Sequence, residues 1–161
     1  MSRLCFLDTN ILLYLNDEVD ERKRTISSYL VMELGRQFSF VVSPQVLNEY
    51  YKVATSKHGQ YEKRSIYRDN VRRLRRVCLA PYDLDVMEAA WSLQEFTNYA
   101  WWDLMIIGSA MKSGCRYLLT EDMNHGHELG QLTIVNPFFA DLRELSEKLD
   151  ITFPTFSIPE A

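Results

Sequence analysis

Short apolar runs that stop abruptly on a capping or acidic residue alternate along this chain with longer stretches in which apolar positions recur every three or four residues. That is the pattern of buried strands followed by amphipathic helices. Arg3-Leu4-Cys5-Phe6-Leu7 is the first such run and breaks at Asp8-Thr9-Asn10, which reads as a strand ending on a helix cap. A short helix is expected over Ile11 to Asn16. A second is expected over Glu21 to Arg36, with Ile26, Leu30 and Leu34 on one face. Phe38 to Val42 alternates and is β-branched, so it predicts the next strand. Ser43-Pro44 then supplies a cap and a first-turn proline for a helix carrying Val46, Glu49, Tyr50 and Val53.

Beyond Gly59, Tyr61 to Arg76 predicts a long basic helix with Ile66, Asn70, Leu74 and Val77 toward one side, and Val77 to Leu79 a short strand. Leu84 to Thr97 predicts a helix with Val86, Ala89, Ala90 and Leu93 inward. Leu104 to Ser113, opened by Asp103 and closed by Gly114, is apolar nearly all round and predicts a buried helix. Arg116 to Thr120 runs as a strand into Glu121-Asp122, and Leu132 to Val135 forms the last strand. Strands alternating with helices make the fold class α/β, with a mainly parallel sheet covered on both faces. One domain over residues 1–145 is expected, with 146–161 a partly loose tail.

This topology changes the meaning of four acids. Asp8 and Asp122 end strands, Asp103 begins a helix, and Glu49 sits early in a helix that follows a strand. All four therefore fall at the carboxyl edge of the sheet, where open α/β folds bind ligands. Taken singly, Asp8 reads as a cap, Asp103 as a favourable charge at a helix N-terminus, Glu49 as a solvated position and Glu121-Asp122 as a turn. Taken together they need a counter-charge, since two carboxylates about 4 Å apart repel by about 4 kcal/mol at an effective dielectric of about 20. An all-oxygen donor set favours Mg²⁺ or Mn²⁺ over zinc. Asp8 and Asp103 are expected nearest the ion. Glu49 and Asp122 are expected to act through water, with Asn10 or Thr9 hydrogen-bonding beside them. A site of this kind suits hydrolysis of a phosphodiester.

Charge and composition narrow the picture. The net charge of −4 is unevenly spread: Lys57 to Arg76 holds eight Lys and Arg against two acids, a net of +6 that leaves −10 elsewhere. The cysteines Cys5, Cys78 and Cys115 have no zinc-ligand spacing and suit small buried thiols in a reduced setting. With no apolar run of membrane-spanning length and no signal-like N-terminus, a soluble, cytoplasmic protein is expected.

Four segments carry a family resemblance: Phe6-Leu7-Asp8-Thr9-Asn10-Ile11, Val42-Ser43-Pro44 through Glu49-Tyr50-Tyr51, Trp102-Asp103-Leu104 through Ala110, and Leu118-Leu119-Thr120-Glu121-Asp122 through Gly126, followed by Ile134-Val135-Asn136-Pro137. Spread over residues 4–138 in this order, they resemble PIN-domain ribonucleases, and among these the VapC-type toxins of prokaryotic toxin–antitoxin pairs. The resemblance implies a three-layer α/β/α sandwich with a sheet of four or five strands. It places the family's acidic quartet on Asp8, Glu49, Asp103 and Asp122, with Asn10 as the accompanying polar residue and Glu121 as a competitor for the fourth role. It implies Mg²⁺- or Mn²⁺-dependent endonuclease action on RNA, a homodimer, and inhibition by a small antitoxin.

Arg72, Arg73 and Arg76 on the basic helix are candidate phosphate contacts, and the helix is equally readable as a solvated face. Trp102, beside Trp101 and Tyr99, is a candidate for stacking on an unpaired base, against a core or interface role. His125 and His127 read as loop histidines, and Met32, Met87, Met105 and Met111 as core fillers. The rival functions are a related DNA nuclease or phosphohydrolase, and a catalytically silent PIN-like module that only binds RNA or protein.

Overall fold

The computed structural model describes residues 3–56, 61–154 and 158–161; Lys57 and Gly59 of the expected basic segment lie outside them. Five strands form one sheet: β1 (Cys5–Leu7), β2 (Phe40–Val41), β3 (Tyr117–Leu119), β4 (Glu128–Leu129) and β5 (Leu132–Val135), in the order β2-β1-β3-β5-β4. All neighbours are parallel except β4 and β5. Cys5, Phe6 and Leu7 are fully buried although successive side chains point to opposite faces. Both faces of the sheet are therefore covered, and the architecture is the expected three-layer α/β/α sandwich.

The helices are α1 (Thr9–Tyr14), α2 (Glu21–Arg36), α3 (Pro44–Ser56), α4 (Arg64–Leu74), α5 (Leu84–Gln94), α6 (Trp101–Lys112) and α7 (Leu142–Leu149). Their starts follow from local chemistry. Asp8, Asp20, Asp83 and Asp141 each accept a backbone N–H of the first turn that follows. In α2 the inward residues are Ile26, Leu30 and Leu34, as the spacing predicts. Helix α6 is buried from Leu104 to Ala110 and lies close against α5: a methyl group on Gly108 would sit 2.9 Å from the Val86 carbonyl oxygen. Gly108→Ala should therefore force the two helices apart and lower stability by about 1–3 kcal/mol, read as a lower urea midpoint.

The structure corrects several expectations. No strand forms at Val77–Leu79; the backbone there leaves α4 through a tight turn, and only isolated bonds tie Val42 to Val77 and Ala80. The basic segment is helical from Tyr61 to Val77, as α4 with a 3₁₀ turn at each end, and Asn70, Leu74 and Val77 lie inward as expected, whereas Ile66 is exposed and Tyr67 and Val71 pack on the core. Asn70 helps fix that face by donating to the Tyr50 hydroxyl at 3.1 Å. Phe38 is exposed with a left-handed φ of 52°, so the second strand starts only at Phe40. The hairpin strand β4 had no apolar signature, and its turn rests on Gly130 at φ 63°. Met32 and Met111 are exposed rather than core fillers. Helix α7 runs across residue 145, and Leu149, Ile151 and Phe153 beyond it are buried, with Phe153 edge-on to Tyr29. Among the described residues no helix is long and apolar enough to cross a membrane.

Candidate functional site

Parallel pairing in register puts Leu7 opposite Leu119, so the residues just past each strand, Asp8 and Thr120, emerge side by side. The Thr120 hydroxyl donates to Asp8 Oδ2 at 2.7 Å and accepts the Asp122 backbone N–H at 3.2 Å. The other Asp8 oxygen accepts Thr9 N–H at 2.7 Å, the capping bond that starts α1. One residue on, the Thr9 hydroxyl donates to Glu49 Oε2 at 2.9 Å and so ties α1 to α3. Asn10 Nδ2 donates to Asp122 Oδ2 at 3.0 Å, with Asp8 Oδ2 at 3.4 Å. Asp103 occupies the first turn of α6, which is held against α3 by a bond from Gln45 Nε2 to the Trp102 carbonyl at 3.1 Å.

Electrostatics show that the four acids share one space. Burial pushes Asp8 from its ordinary 3.8 up to about 6, against the lowering effect of the Thr120 and Thr9 bonds, and the charges of Asp122 and Glu49 push it further. Asp103 is also raised, first by burial and then by the same two neighbours, Asp122 and Glu49. Asp8 is only 6% exposed, Glu49 and Asp103 are half-buried, and Asp122 opens to solvent. Among the described residues none of the four makes an ion pair. Nor do any three His, Cys, Asp or Glu side chains among them close around a point that could hold an ion unaided. By donor chemistry alone, carboxylate and hydroxyl oxygens suit a hard cation such as Mg²⁺, which takes only one or two carboxylates directly and water for the rest.

Residues 5–127 match the PIN domain family. The chain belongs to that family. No curated protein sequence matches it. Among solved structures, FitAcB from Neisseria gonorrhoeae is similar with a TM-score of 0.61 at 15% identity, over 85% of this chain and 100% of that one. VapBC2 from Rickettsia felis, bound to a DNA fragment from its promoter, is similar with a TM-score of 0.57 at 15% identity, over 81% of this chain and 96% of that one. At such identity the likeness is one of fold.

Within this PIN domain Glu121 is set apart from the quartet. Its carboxylate meets Lys23 Nζ at 2.6 Å and accepts the Tyr14 hydroxyl, while its neighbour Asp122 turns to Asn10. The other candidates scatter. Trp102 is 57% exposed, next to Asp103, whereas Trp101 is half-buried. Arg72, Arg73 and Arg76 are exposed, and Arg72 pairs with Asp69 at 2.7 Å. None of the three lines the groove of ≈ 780 Å³ that starts at Asn10 and Glu121; its basic residues are Lys63 and Arg24. His127 Nδ1 lies 2.7 Å from the Tyr99 hydroxyl, and His125 Nδ1 accepts Asn136 N–H at 3.0 Å, so both histidines brace the loop after Asp122.

Thr120, Lys23 and Tyr14 had no role in the sequence reading. Thr120 carried a usable signal, a hydroxyl residue at the strand end beside Glu121-Asp122. Lys23 and Tyr14 carried none, because a lysine in a first turn and a tyrosine in a short helix are ordinary there.

Proposed function

We propose that this PIN domain is a Mg²⁺- or Mn²⁺-dependent endoribonuclease, the toxin of a toxin–antitoxin pair. The observation that carries the proposal is the meeting of Asp8, Glu49, Asp103 and Asp122 at one sheet edge, where burial and the charges of Glu49 and Asp122 raise the pKa of Asp8 and Asp103 and none of the four pairs with a described cation. Asp8 and Asp103 would hold the ion directly, and Glu49 and Asp122 through water. When bound, the ion supplies Lewis-acid activation of water and neutralises charge on the phosphodiester.

The chain's own groups do the positioning. Thr120 and Thr9 orient Asp8, and Thr9 also aims Glu49. Asn10 holds Asp122 through its Oδ2, and Asp122 or Glu49 can take a proton from the attacking water. Trp102 offers an exposed ring beside Asp103 for an unpaired base. Arg72, Arg73 and Arg76 offset the repulsion that an acidic pocket exerts on RNA over about a Debye length. The VapC-like sequence segments and the fold shared with VapBC2 and FitAcB support a small antitoxin as the partner; a homodimer in the cytoplasm follows from the family resemblance alone.

The test is cleavage of a labelled RNA pool by the purified chain. RNA is cut with Mg²⁺ or Mn²⁺, EDTA stops the cutting, and single-stranded DNA of matching sequence is spared. Reversing charge at Arg72 and Arg73 together should weaken RNA binding about tenfold and flatten its salt dependence. RNA bound but never cut under any divalent ion would favour the silent binding module, and DNA cut in preference would favour the DNA nuclease. Unchanged binding in the charge-reversed variant would remove α4 from the substrate surface.

A further inference from the structure

Glu121 is a fifth carboxylate placed one residue from Asp122, and left alone it would add to the repulsion at the site. Instead it is gripped from outside. Lys23 reaches it from α2, where the Asp20 cap accepts the Lys23 backbone N–H at 2.9 Å and fixes the base of the side chain. The ammonium donates to Glu121 Oε2 at 2.6 Å and to the Tyr14 hydroxyl at 3.1 Å, and Tyr14 in turn donates to Glu121 Oε1. Two rings enclose the ammonium. It lies 4.9 Å from the Tyr14 centroid and 5.4 Å from that of Phe138, and these rings meet edge to face at 5.1 Å. Lys23 is 30% exposed and Glu121 19%, so this pair is screened far less than a surface salt bridge.

The consequence passes through the backbone. With its side chain turned outward, Glu121 points its N–H at Asn10 Oδ1 at 3.4 Å. That contact holds the oxygen end of the Asn10 amide toward the Glu121 backbone. The NH₂ end is left for Asp122 at 3.0 Å, Thr120 at 3.2 Å and Asp8 at 3.4 Å. We infer that Lys23, Tyr14 and Glu121 form a clamp that sets the Asn10 amide, and through it the separation of Asp8 and Asp122. All three are positioning residues, acting through Asn10 rather than on substrate. As a statement about metal affinity the inference rests on the proposed metal site; as a statement about Asn10 it does not.

A cation this close to an acidic site could instead act only through its charge, and the two roles predict opposite signs. If Lys23 is only a charge, Lys23→Met makes the site more negative and tightens binding of a divalent ion. If it is part of a clamp, the same change frees Glu121, lets the 120–122 turn relax and weakens binding.

The experiment uses the full chain with Mn²⁺ as the probe, titrated calorimetrically. In parallel, exchange of the Asn10 side-chain amide protons is followed by NMR without metal. In Lys23→Met, Mn²⁺ affinity should fall about tenfold and Asn10 exchange should quicken by a similar factor. The double variant Lys23→Met/Glu121→Gln, which removes the stranded charge and keeps an acceptor for Tyr14, should recover most of both. Tyr14→Phe should move both in the same direction by less, and it decides the matter should Lys23→Met not fold. Affinity that is unchanged or tighter in Lys23→Met, or Asn10 exchange that stays at the wild-type rate in the variants, overturns the clamp. Wild-type protein that binds no Mn²⁺ refutes the metal site, and Asn10 exchange alone then upholds or overturns the clamp.

Discussion

Asp8→Asn is expected to cut RNA cleavage by about a thousandfold while making the metal-free protein more stable at about pH 7. The two effects have one cause. Asp8 is buried, and its ionised form is disfavoured by burial and by the charges of Asp122 and Glu49, so its pKa in the folded state stands at about 6 against an ordinary 3.8. A raised carboxylate pKa means that the folded state holds its proton more tightly than the unfolded state does. The metal-free protein therefore carries the full electrostatic cost above about pH 6 and sheds it as pH falls toward 3.8, a span that corresponds to about 3 kcal/mol. Asp103 acts in the same direction.

An asparagine at position 8 can still accept Thr9 N–H, but its NH₂ meets a Thr120 hydroxyl that already accepts from Asp122 N–H and Asn10 Nδ2, so the lost Thr120 bond offsets part of the gain from removing the charge. Urea unfolding of wild type and variant, metal-free and at several pH values, checks the sign. The variant should gain most at neutral pH and little at acid pH. A variant that is less stable at pH 7, or that still cleaves at the wild-type rate, would remove Asp8 from the centre of the site.

Acid should also drive metal from the site. A proton and a divalent ion compete for the Asp8 oxygens, so apparent Mn²⁺ affinity should hold steady above the Asp8 pKa and fall by about tenfold per pH unit below about 6. Binding at neutral pH should in turn raise the melting temperature, because it relieves the repulsion that metal-free folding bears. Calorimetric titration at several pH values on either side of 6 reads the first effect, and a thermal melt with and without Mn²⁺ reads the second. Affinity that is flat across this range would mean that Asp8 is not a ligand. In that case the ion, if bound, must be sought nearer Asp103 and Asp122.

Much of the site was legible because the strand rule is local. Phe6-Leu7 must be buried and Asp8 must not continue the run, so the carboxylate falls at the strand's end whatever the rest of the chain does. The same reasoning placed Asp122 past β3 and Asp103 in the first turn of α6. Failures came where a local signal was weak or was outvoted by packing. Ile66 looked inward by spacing together with Asn70, yet Tyr67 took its place because Tyr50 offered it a ring. Charge along the chain drew attention to Arg72, Arg73 and Arg76, and it could not show that the groove opening at Asn10 takes its basic residues from Lys63 and Arg24.

By itself, then, the amino-acid order determined the fold class and the edge at which the acids gather, since each follows from period, caps and strand ends within a few residues. Only the tertiary structure decided between Glu121 and Asp122, brought Thr120 onto Asp8, and joined Thr9 to Glu49 across forty positions of sequence. The reason is physical. A hydrogen bond or ion pair lasting in a half-buried site depends on which distant side chains share that space. No local pattern records that Lys23 and Tyr14 arrive at the same carboxylate.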